Sequence, residues 1–363
     1  MAMGARRITM KDVALEAGVS MKTVSNVVNG NDSQMSAATK AHVTKAIAKL
    51  GYSVNHAAQA LKKGRSGVIG LAVPNFDQAF FGYFVDTLSK AARERGYAII
   101  ISTFGEFEGR IDGFAPAARK LNADGWIMFA DMPVRADSPV FTQDYPLVLT
   151  GDYSSHGLCD MVTMPNAEAA RHVTGWLLDR GATDVGFIGA PMPEAEIPQD
   201  PDRLEQAAMS ATEGNAALRL QGYIQAFRSR GLAPDWRHII PVERLTGAEG
   251  VRAAFELVHR ASDDVAGTAL PDALVCANDA LAIGVLSALT KSHIDVPGDI
   301  QVTGIDALPD GEYAIPPLTT IDPRVDQYVD MAVDALIRRI DGDESAPSVY
   351  TSGFRLIERD STR

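Results

Sequence analysis

Near the amino end, apolar residues recur at helical spacing in three short runs. Met10, Val13, Ala14 and Ala17 share one face. Thr9 stands where a cap is needed, Asp12 three residues later completes a capping box, and Gly18 ends the run. From Ser20 as the next cap, Val24, Val27 and Val28 repeat on an inner side, which leaves Met21, Lys22, Ser25, Asn26 and Asn29 facing outward. A third run from Ser36 to Gly51 sets Val43, Ala46, Ile47 and Leu50 at helical spacing before a glycine suited to a left-handed cap. Two short amphipathic helices joined by a Gly-Val-Ser corner and backed by a third form the pattern of a helix-turn-helix, whose second helix lies in a DNA major groove. The competing reading is three ordinary surface helices of an α/β protein.

From Val68 onward the pattern changes to apolar strand followed by amphipathic helix. VIGLAV leads to a helix over about Phe80 to Arg95, and YAIIIST, GWIMFA and PLVLT follow as strands. A second set begins after Pro165. It comprises a helix over about Ala167 to Arg180, strand VGFIGA, helices over Arg219 to Arg230 and near Gly250 to His259, strand ALVCA, helix Asp279 to Lys291 and strand QVTGID. Helix Asp326 to Ile340 and a strand near Val349 to Ile357 are expected to return and complete the two halves. Three helices end as Arg95-Gly96, Arg180-Gly181 and Arg230-Gly231, with arginine opposing the negative helix end and glycine supplying the cap. Alternation of this kind predicts two doubly wound parallel sheets, which bind ligands at the carboxyl ends of their strands.

Charge separates the two readings of the first helices. Residues 1–65 carry ten Lys or Arg against three Asp or Glu, a net of +7 in a chain whose total is −12. A compact cationic unit on a strongly anionic body is what phosphate neutralisation by the first part alone requires.

DVALEAGVSMKTVSNVVNG followed by LGYSVNHAAQAL resembles the bacterial lactose and galactose repressor family of transcription regulators. VPNFDQAFFGYF, ADGWIMF, CANDALAIGVLSAL, VPGDIQVTGID and IPPLTTID resemble that family's effector domain in the same order, so the similarity spans nearly the whole chain. The resemblance implies a helix-turn-helix headpiece over 1–53, a hinge helix and linker over 54–66, and a periplasmic-binding-protein-like body over 67–363. Within the body it implies an N-subdomain of about 67–164 and 322–340s, and a C-subdomain of about 165–321 with the C-terminal strand.

Function follows as an expectation: a homodimeric repressor of carbohydrate uptake or catabolism genes, on a near-palindromic double-stranded operator, switched by a sugar-like effector. Met21, Lys22 and Asn26 would touch base edges, with Lys22 donating to guanine and Asn26 pairing with adenine. Thr9, Ser20, Thr23, Ser25 and Asn29 would touch phosphates. Asn55 joins the DNA-contacting set, and Leu61 would press into the minor groove from the hinge. Val54 stands where the family commonly has proline and Gln59 where arginine is frequent, which loosens entry to that hinge.

For the effector, the resemblance points to Phe80 and Phe81 on a ring or pyranose face, Arg219 on ligand hydroxyls or carboxylates with an ordinary salt bridge as its alternative, Asp306 on sugar hydroxyls or a ligand base, and Asn278 and Asp279 at a strand end, where capping is an equal alternative. Asp152 is offset by one residue from a family acidic position, and Leu245 replaces a frequent stacking aromatic. The acidic stretch from Pro191 to Gly214 reads as a solvated loop, with a lid as the alternative.

Enzyme signatures for dinucleotides, P-loops, serine hydrolases and common zinc sites are missing, and His156 and Cys159 lack further ligands at metal spacing, so neither catalysis nor a cofactor or metal is expected. Cys159 and Cys276 are the only cysteines, and no signal peptide or apolar span is evident, so a cytoplasmic setting without membrane contact is expected.

Overall fold

The computed structural model describes residues 8–28, 35–50, 65–192, 200–262 and 269–363. The chain divides into two compact units, Met1–Ser66 and Gly67–Arg363.

In the first unit, α1 (Met10–Glu16), α2 (Met21–Val28) and α3 (Ala37–Leu50) enclose a core in which Val13, Val24 and Val43 have no exposed surface. Val27, Val28, Ile47 and Leu50 pack around that centre. Asn29, Asn55 and Leu61 lie outside the described residues, as do Val54 and Gln59 of the expected hinge.

The second unit contains two six-stranded sheets among the described residues. Strands β1 (Val68–Val73), β2 (Ala98–Thr103), β3 (Gly125–Ala130), β4 (Leu147–Gly151) and β5 (Asp160–Thr163) belong to the first. Strands β6 (Val185–Ala190), β7 (Ile239–Pro241), β8 (Ala273–Cys276), β9 (Gln301–Ile305) and β10 (Thr319–Asp322) belong to the second. The expected single last strand is two: β11 (Val349–Thr351) runs parallel to β5, and β12 (Arg355–Ile357) runs antiparallel to β10. The split occurs at Ser352 and Gly353, where Ser352 Oγ donates to Pro323 O and Gly353 N donates to Gln327 Oε1. The orders are β11-β5-β4-β3-β1-β2 and β12-β10-β9-β8-β6-β7. Each lobe thus repeats one architecture, with β3, β4, β8 and β9 central.

The interior strands GWIMFA, VGFIGA and QVTGI are buried along their whole length, as parallel strands covered on both faces must be. Helices α4 (Ala79–Glu94) and α5 (Ile111–Ala118) belong to the first lobe. The second holds α6 (Asn166–Asp179), α7 (Pro201–Met209), α8 (Asn215–Arg228), α9 (Gly247–Ser262) and α10 (Asp279–Lys291), while α11 (Val325–Ile340) returns to the first, against α4 and β3 to β5. The chain therefore passes between lobes after β5, after β10 and between β11 and β12.

Two local readings are corrected. Helix α8 begins at Asn215, so Arg219 lies inside it and not at its start; Gly214, at φ 84°, makes the break. The stretch from Pro191 to Gly214 is not simply a solvated loop: α7, capped by Asp200, buries Ala208 against the second lobe. Of the three arginines before a helix-ending glycine, two reach back, Arg95 Nη1 to Ala91 O at 3.1 Å and Arg230 Nη1 to Ala226 O at 3.0 Å, while Arg180 Nε donates to Arg363 O at 3.1 Å.

Candidate functional site

Each of the first two headpiece helices starts from a cap of its own. Thr9 N donates to Asp12 Oδ2 at 2.8 Å, and Asp12 N returns a bond to Thr9 Oγ1, so the box is formed. The Thr9 hydroxyl itself donates to Asp12. Ser20 Oγ accepts from Thr23 N at 3.1 Å and starts α2. With Val24 buried, Met21 is 55% exposed, Lys22 is exposed, and Thr23, Ser25 and Asn26 are half-buried. Glu16 and Lys49 pair at 2.7 Å across α1 and α3 at the surface.

In the body, a cavity of about 520 Å³ lies between the lobes, at the carboxyl ends of the strands. It brings together five of the six residues expected there: Phe80, Phe81, Arg219, Asn278 and Asp306. Phe80 and Phe81 are both wall and core. They are 8% and 3% exposed, Phe80 stacks on Phe84, and Phe81 meets Phe129 edge-on at 5.1 Å.

Arg219 is the hub of the second lobe. Its Nε donates to Asn166 Oδ1 at 2.7 Å, Nη1 to Ala277 O and Nη2 to Asp306 Oδ1 at 3.1 Å, while only 3% of the residue is exposed. Asp306 follows β9 with φ 123°, a backbone conformation costly for any residue but glycine. Burial pushes its carboxyl up to about 6, with the Arg219 charge opposing that rise. Asp152, at the corresponding end of β4, also lines the cavity; Thr163 Oγ1 donates to it at 2.6 Å, and burial raises its carboxyl.

Asp279 is the exception. It does not reach the cavity but lies fully buried behind it, accepting from Leu308 N at 2.7 Å and from Thr320 Oγ1 at 2.5 Å. The cap of α10 is instead Asn278, whose Oδ1 accepts from Leu281 N at 2.9 Å while its Nδ2 donates to Leu245 O. One side chain therefore both caps and faces the cavity, and its acidic neighbour braces the turn after β9.

Burial pushes Asp279 up to about 7 from an ordinary 3.8, with the Asp306 charge adding to the rise. A carboxyl raised on folding binds a proton preferentially in the folded state, so its contribution is complete below about pH 4 and is lost as pH rises through about 7. Within that window each pH unit removes up to about 1.4 kcal/mol. Asp279→Asn mimics the protonated acid, donating to Thr320 and accepting from Leu308. Its melting midpoint should fall less than that of the parent between about pH 5 and pH 8; equal slopes would discard the assignment.

The sequence reading missed Arg110, Asp131, Arg244 and Tyr328 on the cavity wall. Asp131 was findable, as the first residue beyond the strand GWIMFA. Arg110 sits in a glycine-flanked connection with no periodicity to mark it. Arg244, between β7 and α9, pairs with Asp77, just before α4, and so joins the lobes. Gly214 N also donates to Asp152 O at 2.8 Å, and Ser154 N to Glu213 Oε2 at 3.0 Å. Among the described residues, no group of His, Cys, Asp and Glu could hold a metal ion, and no helix is long and apolar enough to cross a membrane.

Residues 9–55 match the lacI family of bacterial regulatory proteins, and residues 174–362 match the periplasmic binding protein-like domain. The ribose operon repressor of Escherichia coli is 30% identical over 336 residues, covering 92% of this chain and 93% of that protein. The transcriptional repressor PurR of Pasteurella multocida is 26% identical, covering 98% of each. A LacI-type transcription regulator from Bifidobacterium animalis subsp. lactis superposes with a TM-score of 0.75 at 41% identity, over 82% of this chain and 99% of that one. The transcriptional regulator CelR, in complex with cellobiose, superposes with a TM-score of 0.66 at 25% identity, over 98% of this chain and 100% of that one. The chain belongs to the lacI family of bacterial regulatory proteins and is a DNA-binding transcriptional regulator.

Proposed function

We propose that this regulator is a homodimeric, cytoplasmic repressor of sugar-utilisation genes, and that a sugar held between its two lobes sets its affinity for a near-palindromic operator. The observation that carries the reading is one chain with both a capped, cationic helix-turn-helix and a cavity whose two walls belong to different lobes. A ligand touching both walls changes the relative population of lobe arrangements by its differential affinity for them, which couples the cavity to the dimer's operator-bound form. Ribose in the name of one relative and cellobiose in the complex of another support the sugar class. Aromatic rings beside arginine–carboxylate pairs suit it chemically, because a pyranose offers an apolar face and a rim of hydroxyls. The edge strand β2 leaves Ile101 45% exposed, where lone edges usually carry charge, and a second copy would cover it.

In this reading Met21, Lys22 and Asn26 meet base edges, and Thr9, Ser20, Thr23 and Ser25 meet phosphates. Asn29, Asn55 and Leu61 keep their assigned DNA contacts as part of the same proposal. An electrophoretic shift on the DNA upstream of the protein's own gene, with and without D-ribose, D-glucose and cellobiose, tests the whole. A retarded band whose intensity one sugar changes is expected; equal binding to random duplex at moderate salt would overturn the reading. Lys22→Ala should weaken the matched operator by about 1–3 kcal/mol and relax preference at one base pair. An unchanged preference across single-base operator variants would put the reading face elsewhere.

A further inference from the structure

We propose that Arg110 and Asp131 form a second effector anchor, in the first lobe, that reads two adjacent hydroxyls, and that the cavity thereby selects an uncharged polyol over its phosphate ester. The proposal rests on the reading of the cavity as the effector site and names a determinant of its specificity.

Asp131 follows β3 and Arg110 caps α5, so two separate connections deliver them to the cavity wall. Arg110 Nη2 donates to Asp131 Oδ2, and the guanidinium lies over the ring of fully buried Phe104 at 5.9 Å. Among the described residues, Arg110 Nε is the buried side-chain nitrogen or oxygen without a hydrogen-bond partner. That N–H is shut off from the cavity, so the donors Arg110 can offer a ligand are the outer guanidinium N–H groups of a side chain that stays 37% exposed. Arg110 also has φ 55° and ψ −120°, which an arginine holds only at a cost.

The second lobe holds an arginine–aspartate pair of its own, at a different strand end. Arg219 pairs with Asp306, and there too one partner, Asp306, has a positive φ. Since β3 lies between β1 and β4 as β8 lies between β6 and β9, Asp131 follows its strand where Ala277 and Asn278 follow theirs. The cavity is thus walled by one arginine–aspartate pair from each lobe, each held by strained backbone.

Charge then selects the ligand. Every arginine on the wall already has a carboxylate: Arg110 has Asp131, Arg219 has Asp306 and Arg244 has Asp77. Asp152 and Glu243 add further acids to the lining. A phosphate would meet arginines whose charge is already neutralised and acids that repel it. A hydroxyl can accept from the guanidinium while its neighbour donates to the carboxylate, so a vicinal diol satisfies an arginine–aspartate pair as no anion can.

The test is calorimetric titration of the full-length protein with D-ribose, D-glucose, cellobiose and the terminal phosphate ester of each, backed by melting curves of every unliganded variant. At least one neutral sugar is expected to bind, with its ester at least about tenfold weaker. Arg110→Ala and Asp131→Asn should each weaken that sugar by about tenfold to a hundredfold. Arg110→Lys, which keeps the charge beside Asp131 but loses the fork, should weaken it comparably and serves if the alanine variant does not fold. A sugar lacking one of the two hydroxyls should bind parent and Arg110→Lys alike. Wild-type affinity in the Arg110 and Asp131 variants, alongside lost binding in Arg219→Ala, would discard the second anchor and leave the cavity assignment standing. Wild-type affinity in Arg219→Ala would instead remove the sugar from the cavity. An ester that binds as tightly as its sugar, or a panel with no neutral binder, overturns the selectivity.

Discussion

Arg219→Ala is expected to abolish sugar binding and to destabilise the body by about 3–5 kcal/mol, the usual result of removing one partner from a buried ion pair. Three acceptors lose their donor at once: Asn166 Oδ1, Ala277 O and Asp306 Oδ1. Asp306 is the expensive one, being 4% exposed and held ionised against burial by the Arg219 charge. Without that charge its pKa rises beyond the present value of about 6. The penalty should therefore be smaller near pH 5, where the acid is protonated with or without Arg219 and the Asn166 and Ala277 bonds are what is lost, and larger near pH 8. Arg219→Leu combined with Asp306→Leu should regain most of the stability, because a buried pair exchanged for apolar residues of similar size is often neutral. It should not regain binding. Urea unfolding at the two pH values checks both statements; a single variant as stable as the parent at pH 8 would show that the pair does not hold the lobe together.

How much of this was legible follows from how local each signal is. The headpiece could be read almost residue by residue because caps and valine spacing are set within four positions, as in Thr9 with Asp12 and Ser20 with Thr23. Central strands were legible because a parallel strand buried on both faces is a continuous apolar run. Strand β5 was not, since it opens with Asp160, whose burial is possible only because Arg339 reaches it from α11, 179 residues away in sequence. Helix α5 has its apolar stripe of Ile111, Phe114, Ala115 and Ala118 interrupted by an internal Pro116 within only eight residues, and α7 begins from an aspartate cap within an acidic stretch that resembles loop.

The cavity was half legible for the same reason. Arg219 and Asp306 stand in motifs, whereas Arg110, Asp131 and Arg244 converge only because the repeated strand order sets connections from both lobes at one edge. Asp279 was misplaced because an Asn-Asp pair at a helix start leaves open which side chain caps. The choice was made by Thr320 and Leu308, distant in sequence, which give the aspartate a hydroxyl donor and a backbone donor in the interior.

The sign of a glycine-to-alanine change should depend on which helix surface bears it, and Gly284 and Gly82 make the contrast. Alanine gains up to about 1 kcal/mol over glycine in a helix interior through propensity alone. At Gly82 in α4 nothing lies within 4 Å of an added Cβ, so Gly82→Ala should stabilise by about 0.5–1 kcal/mol. At Gly284 in α10 the same atom would lie 2.1 Å from Gly247 O of α9, a rigid backbone group. Gly250, on the same side of α9, is equally constrained, its Cβ position lying 2.2 Å from Leu281 O of α10. The two helices therefore approach backbone to backbone, and neither can yield without opening the core around Leu281, Val285 and Ala254. Overpacking of this kind costs about 1–3 kcal/mol and sometimes more, which exceeds the propensity gain. Gly284→Ala should thus lower the melting midpoint, and Gly284→Val should prevent folding of the second lobe. Melting curves of the three variants check this, and a Gly284→Ala protein as stable as Gly82→Ala would mean that α9 and α10 are not in such close contact.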